Sequence, residues 1–181
     1  MGREIRMVPP NWEHPKSIDN YGRERLQPMF DEPFSEAKAE WLDELAKWEA
    51  GERPSYFTAE AGDEDLPYWE YNGNPPERAY YRPWKDEEAT WVQLWETVSE
   101  GTPVSPPFET ADELIAYLAE HGDFWDQKLC MEPDWARLWG GIPGKSGWGH
   151  ERASAFVKAG WAPSFIVTDG KMIDGKLAAT A

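Results

Sequence analysis

The chain has 181 residues and a formal net charge of −16, from 18 Lys and Arg against 34 Asp and Glu, and it carries 12 tryptophans, 16 prolines and 15 glycines. That length suits one domain, or one with a smaller appendage, and allows a core without covalent staples. The lone cysteine, Cys130, excludes an intramolecular disulfide and fits a reducing compartment; so acidic a body repels nucleic-acid phosphates and favours a basic protein surface as partner.

The acidity is uneven. Residues 1–139 hold 13 basic and 31 acidic residues, net −18, whereas residues 140–181 hold five and three, net +2. No apolar run reaches the 18 or so residues that a membrane span needs. The charged start MGREIR leads into no apolar segment of the signal-peptide kind, so the expectation is a protein of the cytoplasm. Tryptophan buries about 150–250 Å² apiece, and twelve exceed the needs of a core this size, so several are expected at the surface.

In chain order, residues 1–34 are broken by Pro9, Pro10, Pro15, Pro28 and Pro33. They read as an extended arm packed on the body through Trp12, Tyr21 and Phe30, with a short strand at Glu4–Val8. A first helix is predicted over Ser35–Ala50, with Ser35 as N-cap and Gly51 as the stop. Its apolar stripe is Trp41, Leu45 and Trp48, widened by Ala37, Leu42 and Ala46. Residues 51–84 are irregular yet dense in aromatics, which argues for packing over disorder. Short strands at Tyr68–Tyr71 and Ala79–Arg82, joined through Asn72-Gly73-Asn74, are expected there.

A second helix is predicted over Asp86–Val98 from the spacing of Trp91, Trp95 and Val98, followed by a stiff proline connector at Thr102–Phe108. Thr110 and Glu113 form a T-x-x-E capping box, and Leu114, Ile115 and Leu118 give the third helix its buried face before Gly122 ends it. Short helical turns follow at Asp123–Met131 and Pro133–Trp139, then a glycine-rich loop and a helix over His150–Ala159 ending at Gly160. Phe165–Thr168 and Lys171–Ile173, around Asp169-Gly170, read as a β-hairpin, with a frayed tail from Lys176. The fold class expected is α+β, mainly helical, with about four helices, long ordered Pro- and Trp-rich loops and small hairpins. Its divisions would be an arm (1–34), a main helical domain (35–164) and a terminal hairpin and tail (165–181).

Catalytic signatures are weak. Gly140-Gly141-Ile142-Pro143-Gly144-Lys145-Ser146 approaches a P-loop, but Trp139 stands where the first glycine belongs and Pro143 lacks an amide that a phosphate nest would use. No G-x-S-x-G elbow occurs. Cys130 lies between Leu129 and Met131 and reads as a packed thiol. His14, His121 and His150 lack the spacing of metal ligands. No cofactor is therefore expected, and an enzyme is not the first reading. The candidate contact residues are the acidic run Asp63, Glu64 and Asp65 with Trp69, backed by Glu87 and Glu88, which together would suit a basic surface.

The opening IRMVPPNWEHPK, the central RPW at Arg82–Trp84 followed by DEEAT and QLWETVSEGTPVSPPFET, and the late GWAPS at Gly160–Ser164 together resemble a family of proteins encoded by tailed phages and prophages. The resemblance covers the N-terminus, Arg82–Leu118 and the GWAPS segment. It implies an accessory protein acting in the bacterial host cytoplasm. By analogy with small acidic phage proteins that lack catalytic constellations, it implies an inhibitor of a host nucleic-acid-binding or defence complex of the CRISPR kind. A virion or morphogenesis component is the alternative. An enzyme using an Asp/Glu acid–base pair on a carbohydrate is the second alternative.

Overall fold

The structure is a computed structural model that describes residues 2–55, 57, 66–98, 100–132, 134, 145–168 and 171–175. It is a mixed α+β fold. Its strand β1, Arg3–Val8, lies inside the segment expected to be an arm and is an inner strand of a four-stranded sheet, ordered β7 (Thr102–Pro103), β6 (Trp91–Glu96), β1, β8 (Trp161–Ala162).

The partner strand β6, Trp91–Glu96, corrects the helix expected over Asp86–Val98. Only Asp86–Glu88 is helical there, as a single 3₁₀ turn, before the chain extends and pairs antiparallel with β1 from Arg3↔Glu96 to Val8↔Trp91. The register sorts side chains onto two faces. Ile5 and Leu94 join the main apolar cluster with Leu114, Ile115, Leu118, Ala153 and Phe156. On the other face the Arg6 guanidinium lies 4.5 Å from the Trp95 ring, and Trp95 Nε1 donates to Gln93 Oε1 at 3.1 Å. Because both faces are covered, Gln93, Leu94 and Trp95 are all buried, and the polar–apolar alternation of a half-exposed strand is missing.

The connector after β6 is extended, as expected. Strand β7, Thr102–Pro103, pairs with β6, and Phe108 exchanges backbone hydrogen bonds with Val92. Gly101 makes the turn at φ +96°; a Cβ there would meet Glu96 O at 2.9 Å. Helix α3, Ala111–His121, opens on the expected capping box, with Thr110 Oγ1 accepting from Glu113 N at 3.2 Å and Glu113 accepting from Thr110 N at 3.1 Å. Helix α4, Phe124–Met131, is capped by Asp123, whose Oδ1 accepts from the amides of Trp125 and Asp126. The same carboxylate takes Arg3 Nε on Oδ2 at 2.8 Å, an ion pair with both partners almost wholly buried.

The final described helix, α5, His150–Ala159, ends at Gly160 in the left-handed region, as read from the sequence. It leads into β8, Trp161–Ala162, on the outer side of β1. The hairpin is present as β9, Phe165–Thr168, against β10, Lys171–Asp174. Its turn, the run Pro133 and Trp135–Gly144, and Lys176–Ala181 lie outside the described residues.

A small exposed hairpin precedes all this, with β2 Lys16–Ile18 paired to β3 Glu24–Leu26. Its turn is built on Asp19, which accepts from the amides of Tyr21 and Arg23 and from the guanidinium groups of Arg23 and Arg25. Tyr21 is 82% exposed, so it does not pin the segment; Trp12 does, packing 4.4 Å from Trp84.

Residues Met29–Pro83 form a second compact unit, and Met1–Pro28 with Trp84–Ala181 form the first. The second unit contains β4, Phe30–Pro33, running directly into α1, Phe34–Glu49. The cap position of α1 is Pro33, with no side-chain cap, and Ser35 lies inside the helix. Leu42 is 47% exposed and falls outside the buried stripe. The strand expected at Tyr68–Tyr71 is helix α2, Tyr68–Asn72, which starts after Pro67 and places Tyr68 and Tyr71 one turn apart on the same side. Of the strand expected at Ala79–Arg82, Arg78–Tyr80 is a 3₁₀ turn and only β5, Tyr81–Arg82, is extended, in a short parallel pairing with β4.

Candidate functional site

A cleft lies within Met29–Pro83, where the end of α1 meets α2. Glu44, Lys47 and Trp48 occupy i, i+3 and i+4 of α1 and so share one side of it. The helix closes in a Schellman motif: Glu52 N donates to Lys47 O at 2.9 Å, Gly51 N to Trp48 O at 3.0 Å, and Gly51 takes φ +86°. That reversal sends Arg53 back over the helix end. Its guanidinium sits 3.9 Å from the Trp48 ring centroid, and its Nη1 donates to the carbonyls of Trp48 and Glu52 at 2.6 and 3.1 Å.

The opposite wall comes from α2. Tyr71 stacks on Trp48 at 4.5 Å with an interplanar angle of 22°, Phe57 packs edge-on to both rings, and Trp48 Nε1 donates to Leu66 O at 2.9 Å. The Tyr68 hydroxyl donates to Glu44 Oε2, and Asn72 Nδ2 donates to that same carboxylate at 3.1 Å and to the Tyr68 oxygen. These groups enclose a cleft of about 240 Å³.

Its lining carries two carboxylates, Glu44 and Glu52, and two cations, Lys47 and Arg53. Burial pushes the Tyr68 phenol up to about 12, reinforced by its hydrogen bond to Glu44 and by that carboxylate's charge, so at neutral pH Tyr68 is a donor. Asp43 accepts from Lys47 Nζ at 2.6 Å. This hydrogen bond, the Asp43 charge and the charges of Glu52 and Glu44 raise the lysine above its usual range. Most of these polar groups are paired with one another: Glu44 with Tyr68 and Asn72, Lys47 with Asp43, and Arg53 with two backbone carbonyls. Among the described residues there is no cluster of three or more His, Cys, Asp or Glu able to hold a metal ion, and no helix long and apolar enough to cross a membrane.

Of the contact residues named from the sequence, Asp63, Glu64 and Asp65 lie outside the described residues. Trp69 is on α2, 53% exposed, between buried Tyr68 and exposed Glu70. Glu87 and Glu88 are exposed on the 3₁₀ turn Asp86–Glu88, in the other unit from Trp69, and Glu88 accepts from Lys85 N at 2.8 Å. Sequence reasoning missed the cleft residues Glu44, Arg53, Tyr68 and Tyr71. The available signal was the aromatic pair at i, i+3 after Pro67, which fits a helical turn as well as a strand. No family model, curated protein or solved structure matches the chain.

Proposed function

We propose that this is a non-enzymatic, acidic phage accessory protein that acts in the bacterial host cytoplasm. It binds a basic surface on a nucleic-acid-binding or defence complex of the CRISPR kind and inhibits it. One observation carries the reading: the unit with the denser negative charge also exposes Trp69, at 53%, whereas Trp161, exposed at 55%, stands in the less acidic unit. Met29–Pro83 holds five basic and fourteen acidic residues, net −9 in 55 residues, while the remaining 126 residues hold thirteen and twenty, net −7. Trp69 is half exposed on the helix whose Tyr68 and Tyr71 are committed to the cleft, so it is held rigidly with its own ring available. A fixed aromatic within an acidic field combines an anchor for affinity with charge for steering and partner choice.

Affinity capture from host lysate at low and at physiological salt tests this. The expected result is recovery of a nucleic-acid-binding complex that the protein competes away from its DNA or RNA, with capture weakened by Trp69→Ala. Recovery of no protein partner at either salt overturns the reading.

A further inference from the structure

The end of α2 is chemically labile. Asn11, Asn20, Asn72 and Asn74 are the asparagines of the chain, followed in turn by Trp12, Tyr21, Gly73 and Pro75. An asparagine side chain loses its amide when the next backbone nitrogen attacks it, so the residue that follows decides which one reacts. Pro75 has no N–H, Trp12 and Tyr21 crowd their own nitrogens, and the Tyr21 amide already donates to Asp19 Oδ1 at 2.9 Å. Gly73 has no side chain and takes φ +88°, and a Cβ built there would meet nothing within 4 Å beyond its chain neighbours. Asn72 and Gly73 are both exposed. We infer that Asn72 is a site of spontaneous deamidation, and that its conversion to a carboxylate unlatches α2 from α1.

The Gly73 nitrogen bonds to Asn72 Cγ, and Nδ2 leaves as ammonia, taking the proton that the nitrogen gives up. Water then opens the cyclic imide. Breaking the bond to Cγ yields aspartate, and breaking the bond to the main-chain carbonyl yields iso-aspartate. Nothing is oxidised or reduced, and water is the co-reactant. Two contacts hold the reaction back: Gly73 N donates to Trp69 O at 3.0 Å, and Asn72 Nδ2 donates to Glu44 Oε2 at 3.1 Å and to the Tyr68 oxygen. Both belong to the end of a five-residue helix, so local opening of that turn sets the pace. Conversion prevents the latch from closing again. The Nδ2 donor is gone, and a new carboxylate faces Glu44. The Tyr68 hydroxyl, which donates to Glu44, has one hydrogen and can serve only one of the two carboxylates, while their like charges repel. This chemistry is independent of any partner.

The full chain is incubated at mildly alkaline pH and mapped by tandem mass spectrometry, with iso-aspartate assayed separately. Conversion should concentrate at Asn72, leave Asn11, Asn20 and Asn74 as amides, and stay at background in Asn72→Gln, whose longer side chain cyclises poorly. An Asn72 that remains an amide, or converts no faster than Asn20, overturns the site. Glu44→Ala, a change on the exposed side of α1, removes one hold and should speed conversion; an unchanged or slower rate overturns the latch. Hydrogen exchange on fresh and aged protein needs no variant to fold. The amides of Tyr71 and Gly73, which donate to Pro67 O and Trp69 O, should exchange about tenfold faster or more after conversion, as expected when a hydrogen bond to a charged group is lost. Asn72→Asp should reproduce that change. Exchange unaltered by conversion overturns the unlatching.

Discussion

Three buried or tightly held ionisable groups show how single residues fix this fold. Asp123 serves both as the cap of α4 and as the acceptor for Arg3, and neither side chain of the pair reaches solvent to any extent. Asp123→Ala strands a buried guanidinium and uncaps a helix, and an unfolding titration in urea should show a loss of about 3–5 kcal/mol. His14 is held differently. Its Nε2 is 2.6 Å from Gln27 O and its Nδ1 accepts from Trp12 Nε1 at 3.4 Å, a pattern that calls for the neutral ring with the proton on Nε2. Burial lowers its proton affinity below the ordinary 6.5 and the Arg6 charge lowers it further, against a smaller upward pull from Gln27 O. The native state therefore binds fewer protons than the unfolded chain. Stability from His14 is complete above pH 6.5 and is lost as pH falls through the lowered native value. Asp19 works at the other end of the scale: the Arg23 amide, then the Arg23 side chain, the Tyr21 amide and the Arg25 side chain hold it at about 2. Its contribution is complete above the ordinary 3.8 and is lost only as pH approaches 2. Unfolding free energy measured from pH 7.5 downward should thus show two separate declines, with His14→Gln removing the upper one and Asp19→Asn the lower.

At the scale of elements, what the sequence revealed depended on whether the signal was local. The helix at Ala111–His121 was legible because Thr110, Glu113 and Gly122 act on backbone groups within a turn of themselves, and Thr110→Ala should cost about 1 kcal/mol by thermal or denaturant unfolding. The end of α1 was legible for the same reason, through Gly51. Strand β6 was not. Trp91 and Trp95 lie four apart, as on a helix, and the alternation that would have marked a strand is erased because Gln93 is buried beneath Trp95 while Leu94 faces the helices. What decides β6 is its ladder with β1, some ninety residues away, which no local pattern encodes. The cleft was hidden likewise: Glu44, Arg53 and Tyr68 meet only after Gly51 reverses the chain and α2 returns to Trp48. Gly147 is a further long-range constraint. It lies against the end of α3, where a Cβ would come within 2.5 Å of the carbonyl oxygens of Ala119 and Glu120, and Trp148 N donates to Leu118 O. Since backbone cannot yield as a side chain does, Gly147→Ala should destabilise by about 1–3 kcal/mol.

For the molecule as a whole, the distribution of charge sets opposite demands on stability and on binding. A unit of 55 residues carrying net −9 repels itself, and Glu36, Glu40 and Glu44 stand exposed at successive i, i+4 positions of α1, a like-charge spacing that weakens a helix. Raising NaCl from about 0.02 to about 0.5 M shortens the screening length from roughly 20 to roughly 4 Å. The exposed pairs Lys47–Asp43 and Lys16–Glu24 contribute too little to offset the relief of that repulsion. The melting temperature should therefore rise with salt, and hydrogen exchange should slow more within Met29–Pro83 than in the rest of the chain. If the proposed basic partner is bound, the same salt should weaken its capture, because steering and contact would both rely on the unscreened field. Glu36→Gln with Glu40→Gln separates cause from correlation: it should raise the melting temperature at low salt, flatten its salt dependence and reduce partner capture together. If stability rises while capture is untouched, the acidity of this unit serves solubility, and the contact must be sought in Trp69 alone.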